Sequence, residues 1–274
     1  DAGADSGHLP RCGGEYVISS EDGSSSAGSD PFAIGMVPGK NGGPDHLLTT
    51  AFGGTTNLFR LDGSGVPTFL QAEYVGSGLY DVAVHPVLGS AFFSTKFRNV
   101  IAAMDIFDSG EDDEAPFVTV DDAIVISSPI LGTEYGRAMA FGEGGDLLYL
   151  AYRGPPAGVV ITDTRPLPSG QARNSVLGIV ALPSSASGMA VVSTPEGERL
   201  YVSLFSKDLV AVVDPSTLSL TDLIEVGDGP FDIAIAGGAH PRLVVALFNE
   251  GALGLVDLDK ASPTYHREVR RISQ

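Results

Sequence analysis

The sequence is poor in tryptophan, cysteine, basic residues and long apolar runs. Its 274 residues include no Trp, one Cys (Cys12) and 16 Lys and Arg residues against 34 Asp and Glu. The formal net charge of −18 repels nucleic-acid phosphates, so nucleic acid is excluded as a partner. No run of 18 apolar residues is present, so no membrane-spanning helix is predicted. One Cys cannot build a disulfide framework, and we expect a lone thiol unless Cys12 pairs with another molecule or with a segment outside this sequence.

Sequence patterns of catalysis are also missing. The chain has no G-x-S-x-G nucleophile motif, no C-x-x-C-H haem site and no Gly-rich phosphate loop that precedes a helix. These absences favour a binding protein over an enzyme.

Short strands, in contrast, recur along the chain. The apolar runs are four to seven residues long, rich in Val, Ile, Tyr and Phe, and bounded by Gly, Pro, Ser and Asp. No stretch repeats apolar residues at helical spacing. Five strand pairs each end at an Asp that lies 14 or 15 residues after the first strand residue. These residues are Asp62, Asp105, Asp163, Asp214 and Asp257.

The repeat length predicts the architecture. Successive strand-end Asp residues lie 43, 58, 51 and 43 residues apart, and another apolar run precedes each strand pair. Four short strands in each unit of this length indicate β-propeller blades. We predict an all-β propeller of four-stranded antiparallel blades, with five blades recognisable in residues 31–274. The five blades form either a closed ring or part of a seven-bladed one.

Residues 1–30 are predicted to be a flexible polar lead with one candidate strand at residues 15–20. If the five blades close on themselves, we expect residues 16–18 to pair as an outer strand beside the strand predicted at residues 265–272. An open ring edge would otherwise invite pairing with another chain.

Residues 199–235, RLYVSLFSKDLVAVVDPSTLSLTDLIEVGDGPFDIAI, resemble the YVTN-type propeller repeat of bacterial and archaeal surface and periplasmic proteins. Tyr201 and Val202 match the opening of the repeat, whereas Ser203 and Leu204 replace the Thr-Asn that names it. The resemblance implies a propeller fold and export to the periplasm or the cell surface. The opening DAGADSG also resembles the tether that follows the lipid-bearing Cys of bacterial lipoproteins, which allows for a lipid anchor.

Charged residues are predicted to converge on one face of the propeller. Corners that enter the innermost strands, and loops between second and third strands, meet there around the channel. The candidate ligand-binding residues are Asp81, Arg98, Arg137, Arg153, Lys207 and Asp232. The alternative is that these side chains form interblade ion pairs and solvated loops.

Metal binding is the weaker expectation. Asp108, Asp112 and Asp113 could supply oxygen ligands for Ca²⁺, but their loop lacks the alternating D-x-D-x-D-G order. We therefore predict no cofactor, with Ca²⁺ as the alternative. His46, His85 and His240 are interpreted as ordinary turn histidines. The five strand-end Asp residues are predicted to accept backbone N–H bonds from the turns that follow them.

Together these features favour an exported binding or scaffold module with a protein or glycan partner. One alternative is a lactonase-like hydrolase with a divalent metal in the central channel, although its metal-ligand motifs find no match here. Another is a structural subunit of a cell-surface assembly, joined through Cys12 or an unpaired edge strand.

Overall fold

The described part of the chain is almost entirely β-strand. The computed structural model describes residues 31–39, 43–61, 67–96, 100–107, 117–126, 136–154 and 156–273. These residues form twenty strands in five four-stranded antiparallel sheets, which confirms the predicted propeller blades. The helical content of this part is one 3-10 turn, Glu143–Gly145, and no helix in it is long and apolar enough to cross a membrane.

Each blade is built from four strands that follow one another in the sequence. Blade one contains β1 (Pro31–Val37), β2 (Asp45–Ala51), β3 (Thr55–Leu61) and β4 (Pro67–Tyr74). Blade two contains β5 (Leu79–Val84), β6 (Ala91–Thr95), β7 (Val100–Phe107) and β8 (Phe117–Val125). Blade three contains β9 (Gly136–Phe141), β10 (Leu147–Tyr152), β11 (Gly158–Asp163) and β12 (Ser175–Ala181). Blade four contains β13 (Ala186–Thr194), β14 (Gly197–Leu204), β15 (Leu209–Asp214) and β16 (Ser219–Glu225). Blade five contains β17 (Pro230–Ala236), β18 (Arg242–Leu247), β19 (Ala252–Asp257) and β20 (Glu268–Ser273).

Apolar clusters lie between consecutive blades. The middle strands of the inner blades are apolar on both faces because each of these blades packs against two neighbours, and every residue of β11 in blade three is buried. Representative buried pairs at the four interfaces are Leu48 and Phe93, Phe92 and Leu150, Tyr149 and Leu200, and Tyr201 and Val245. Burial of these side chains supplies the main stabilisation of the blade stack.

The first and last blades each have one face that no neighbouring blade of the described residues covers. Among the described residues, no buried apolar cluster joins blade five to blade one. Val37 faces blade two and is buried, whereas Ile34, on the opposite face of β1, is 69% exposed. Leu253 of blade five is likewise 42% exposed. These two blades therefore keep partly exposed apolar faces.

The chain termini bear on the predicted ring closure. The candidate strand at residues 15–20 lies outside the described residues. The last strand starts at Glu268, not at residue 265 as predicted, because the preceding residues form a turn. In that turn His266 has a φ of 58°, and its N–H donates to the Asp257 carbonyl at 2.8 Å. β20 is the outermost strand of blade five, and no described strand pairs with its outer edge.

Candidate functional site

An irregularity repeats in the innermost strand pair of every blade. The pairing register shifts where the first strand enters its blade, so that the first strand carries extra residues opposite the second strand. In blade three, for example, Arg137 and Ala138 lie opposite Ala151. Such β-bulges redirect side chains, and here the bulge residues of all five blades meet at the centre.

These bulge residues line one central pocket of about 180 Å³. Each blade contributes two residues from its first strand. They are Phe32, Ala33, Tyr80, Asp81, Arg137, Ala138, Ser187, Gly188, Phe231 and Asp232. We refer to this site as the central pocket.

Hydroxyl groups of the second strands hold the bulges in place. Ser94 Oγ accepts the Asp81 N–H at 3.0 Å and donates to the Arg137 carbonyl of the next blade at 2.8 Å. Ser203 repeats this arrangement one interface further on, because its Oγ accepts the Gly188 N–H at 2.7 Å and donates to the Phe231 carbonyl at 2.8 Å. Each hydroxyl thus fixes a bulge in its own blade and a pocket residue of the following blade.

The Asp81 carboxylate links blades two and three. Its Oδ1 accepts the Val82 N–H at 2.9 Å, and its Oδ2 accepts the Met139 N–H at 2.7 Å. Burial raises the pKa of Asp81 to about 6, and the Asp232 charge acts in the same direction, while the two backbone bonds and Arg137 oppose it. Asp81 therefore forms a wall of the pocket, and each of its carboxylate oxygens accepts one backbone N–H bond.

The Arg137 guanidinium lies between two aromatic rings. It sits 4.5 Å from the centroid of the Tyr80 ring and 5.3 Å from that of Phe231, within cation–π range. Burial lowers the pKa of Arg137 and the Arg153 charge lowers it further, but an arginine stays protonated at such a site. Nε of Arg137 is buried without a hydrogen-bond partner. No ion pair joins Arg137 to a carboxylate of the described residues.

The two rings that flank this guanidinium each belong to a group of three packed aromatic rings, and we call these six rings the aromatic collar. One group contains Phe32, Phe52 and Tyr80, whose ring centroids are 5.0 to 5.7 Å apart. The other contains Phe205, Phe231 and Phe248, at 5.8 to 6.2 Å. Arg137 bridges the two groups through Tyr80 and Phe231.

Much of the collar was not identified from the sequence, although the repeat contains a signal for it. The residue directly after the second strand is large and either aromatic or cationic in every blade. These residues are Phe52, Lys96, Arg153, Phe205 and Phe248. Lys96 lies over the Phe52 ring at 5.3 Å. Aligning the blades at the end of the second strand would have revealed this column.

The structure brings together half of the predicted site residues. Asp81, Arg137 and Asp232 line the central pocket, as the sequence predicted. Arg153 follows β10 and acts on Arg137 through its charge, but neither it nor Lys207, in the turn after β14, lines the pocket. Arg98 lies outside the described residues.

The described residues contain no group of three or more His, Cys, Asp and Glu side chains that could hold a metal ion. Asp108, Asp112 and Asp113 lie outside that part of the chain. His85 is buried and its Nδ1 accepts N–H bonds from Val87 and Leu88 at 3.2 and 3.1 Å, as expected for a turn histidine. His240 lies in the turn between β17 and β18, with its Nδ1 3.7 Å from Asp259. His46 lies within strand β2, so its interpretation as a turn histidine is wrong.

The strand-end Asp residues have the predicted structural role in three blades. Oδ1 of Asp163, Asp214 and Asp257 accepts the N–H two residues downstream, at 3.0, 2.9 and 3.0 Å. Asp105 accepts a hydrogen bond from the Ser90 hydroxyl, and Asp62 lies outside the described residues.

Comparison with known proteins supports the fold. Neither a protein-family model nor a curated protein sequence matches this chain. A chain in the crystal structure of a nidogen/laminin complex is 11% identical with a TM-score of 0.57, covering 89% of this chain and 80% of that one. A protein of unknown function from Bacteroides caccae is 15% identical with a TM-score of 0.53, covering 84% of this chain and 73% of that one. The chain has the β-propeller fold.

A third similar structure is the hydrazine synthase of Kuenenia stuttgartiensis. It is 25% identical over 54% of this chain, with a TM-score of 0.42, and the match spans 38% of that chain. At these levels of identity the comparisons show the architecture alone, and the YVTN subtype of the propeller is not confirmed by them.

Proposed function

We propose that this propeller is a non-catalytic binding module that holds a protein partner against the aromatic collar. The observation that carries the proposal is the exposure of the collar, in which Phe248 is 69% and Phe32 is 49% exposed to solvent. Exposed clusters of large apolar side chains mark interaction surfaces. Aromatic residues and Arg, the components of this surface, are also the residues that dominate binding energy at protein interfaces.

Two further observations support a protein partner. The collar rings are inclined to one another at interplanar angles from 38° to 86°, which gives an uneven surface and not a row of parallel ring faces. In addition, a neighbour of similar fold was crystallised in a nidogen/laminin complex, so a propeller of this kind can occur in a protein assembly. Export to the periplasm or cell surface, and membership of the YVTN-type repeat proteins, form part of the proposal and rest on residues 199–235.

The hydrolase alternative has less support. A divalent metal in the channel would need several ligands, and the central pocket offers two carboxylates, Asp81 and Asp232. Both oxygens of Asp81 already accept backbone N–H bonds. The pocket therefore resembles a recognition site more than a metal centre.

Substitution in the collar tests the proposal. Surface and periplasmic proteins of the source organism would be captured on the wild-type chain, on a Phe248→Ser variant and on a Leu177→Ser control. Leu177 is an exposed apolar residue of β12, away from the collar. We expect one protein to be retained by the wild type and the control and reduced about tenfold or more by Phe248→Ser. Equal capture by all three chains would contradict the proposal, and a glycan with the same dependence on Phe248 would replace the protein as partner.

A further inference from the structure

Two polar groups in the central pocket lack hydrogen-bond partners. Four buried side-chain polar atoms of the described residues have no partner, and two of them, Arg137 Nε and Ser187 Oγ, belong to residues that line this pocket. Ser187 is only 7% exposed. Buried donors without acceptors are costly, so their presence together indicates a ligand that accepts hydrogen bonds.

The charge of Arg137 indicates what kind of acceptor this is. Its positive charge is half-buried and forms no ion pair within the described residues. Arg137 lines the pocket, and Tyr80 and Phe231 flank its guanidinium, so the pocket is the open side from which an anion would approach. Arginine N–H groups form a fixed fork that matches the two oxygens of a carboxylate or a phosphate.

Size and neighbouring charges select between these two anions. The pocket has a volume of about 180 Å³, and Phe32 and Ala138 contribute apolar walls. Asp81 and Asp232 line the same pocket and repel a doubly charged phosphate more strongly than a singly charged carboxylate. The surroundings therefore favour one carboxylate attached to a small apolar body.

We propose that the central pocket binds a carboxylate group, with Arg137 and Ser187 as its donors. If the proposed function holds, the carboxylate belongs to the protein partner and enters the pocket while the rest of the partner covers the aromatic collar. A free small carboxylic acid has the same chemistry and would bind without any partner.

Calorimetric titration of the full chain tests this site without knowledge of the partner. The probes are N-acetyl-alanine, which imitates a chain end, its neutral amide, propionate and inorganic phosphate. We expect saturable binding of N-acetyl-alanine or propionate and at least tenfold weaker binding of the amide and of phosphate. Tighter binding of N-acetyl-alanine than of propionate indicates a chain end as the source, and the reverse order indicates a free acid.

Variants locate the binding within the pocket. Arg137→Gln should weaken carboxylate binding about tenfold or more, and Ser187→Ala by about threefold to tenfold. Arg137→Lys keeps the charge but loses the fork, so we expect intermediate binding. Arg153→Gln is the matched control, since it removes a nearby charge outside the pocket lining and should stay within about threefold of wild type.

Three results would overturn the proposal. They are equal binding of the amide, no carboxylate binding by the wild type, and equal losses for Arg137→Gln and Arg153→Gln. Collar-dependent capture of a protein together with any of these results would leave the proposed function intact and refute only the carboxylate site. Carboxylate binding without a collar-dependent partner would support the carboxylate site and refute the proposed function.

Discussion

At the scale of single residues, Asp81 is both a wall of the central pocket and a link between two blades. Its two backbone bonds favour the ionised carboxylate, whereas burial and the neighbouring Asp232 charge favour the protonated acid. Burial is the largest of these effects and raises the pKa of Asp81 to about 6. The folded chain therefore holds this proton more tightly than the unfolded chain, whose carboxyl has a pKa near 3.8.

This difference predicts a pH dependence of stability. The stabilisation from proton binding at Asp81 is complete below about pH 4 and is lost as the pH rises through about 6. The neutral Asp81→Asn variant does not titrate there. We expect the free energy of unfolding of the wild type to fall relative to the variant by up to about 3 kcal/mol between about pH 4 and pH 7. Urea unfolding across this range measures the difference, and a pH-independent difference would contradict the prediction. In Asp232→Asn, which lacks a charge that helps to raise the pKa of Asp81, the fall should be smaller and should end at a lower pH.

Asp214 provides a second prediction at the residue scale. Its carboxylate accepts bonds from the Ser216 N–H and hydroxyl and pairs with Arg199 at 3.1 Å. Asp214→Ala should lower the free energy of unfolding by about 1–3 kcal/mol, because it removes two hydrogen bonds and an ion pair made by a buried carboxylate. Glu225→Gln, an exposed position of β16, is the control and should change stability by less than about 0.5 kcal/mol. Equal effects in chemical unfolding would show that the strand-end Asp is not structural.

At the scale of the secondary-structure elements, the second strand controls the shape of the first. A hydroxyl from this strand holds the bulge in blades one, two and four, through Thr50, Ser94 and Ser203. Alanine occupies the corresponding position in blade three (Ala151) and blade five (Ala246). The hydroxyl is therefore not required for a bulge to form, but in blades two and four it also donates to a carbonyl of the next blade.

Removal of this link should be measurable. Ser203→Ala leaves the Gly188 N–H and the Phe231 carbonyl without their shared partner, so we expect a loss of about 1–3 kcal/mol in unfolding free energy. Ser169→Ala, in an exposed turn, should have no comparable effect. Thermal and urea unfolding give the values. Unchanged stability of Ser203→Ala would mean that water replaces the hydroxyl at this interface.

At the scale of the whole molecule, the five blades are joined by four buried apolar interfaces. The free face of blade one includes Ile34, and that of blade five includes Leu253. A ring closed at five blades would cover both faces, as would a further blade of a larger ring. Among the described residues, no buried apolar cluster covers either of these two faces.

Two substitutions in the same strand test whether this face is free in solution. Val37→Ser places a hydroxyl in the buried interface with blade two and should cost about 2–4 kcal/mol of unfolding free energy. Ile34→Ser lies on the exposed face of β1 and should cost less than about 0.5 kcal/mol. Urea unfolding of the two variants gives the comparison. An equally large cost for Ile34→Ser would show that blade five or another segment covers this face.

The sequence by itself determined the blades. Strand length and strand ends depend on the alternation of apolar residues and on turn residues such as Gly, Pro and Asp. Both signals lie within a few neighbouring residues, and their recurrence every 43 to 58 residues marks the blades. The sequence also predicted that Asp81, Arg137 and Asp232 face the channel, although the strand pairing places Arg137 one residue before the repeat position that Asp81 and Asp232 share.

The tertiary structure decided which side chains touch and which faces remain open. The cation–π contacts of Arg137 join residues 80, 137 and 231, which are brought together only when the blades are arranged around the pocket. The hydroxyl links of Ser94 and Ser203 also form only when neighbouring blades lie side by side. The position of Arg153 and Lys207 outside the pocket wall likewise depends on how the blades are arranged. Local patterns specify a strand and its two faces, but the neighbour that covers each face is set by packing over the whole chain.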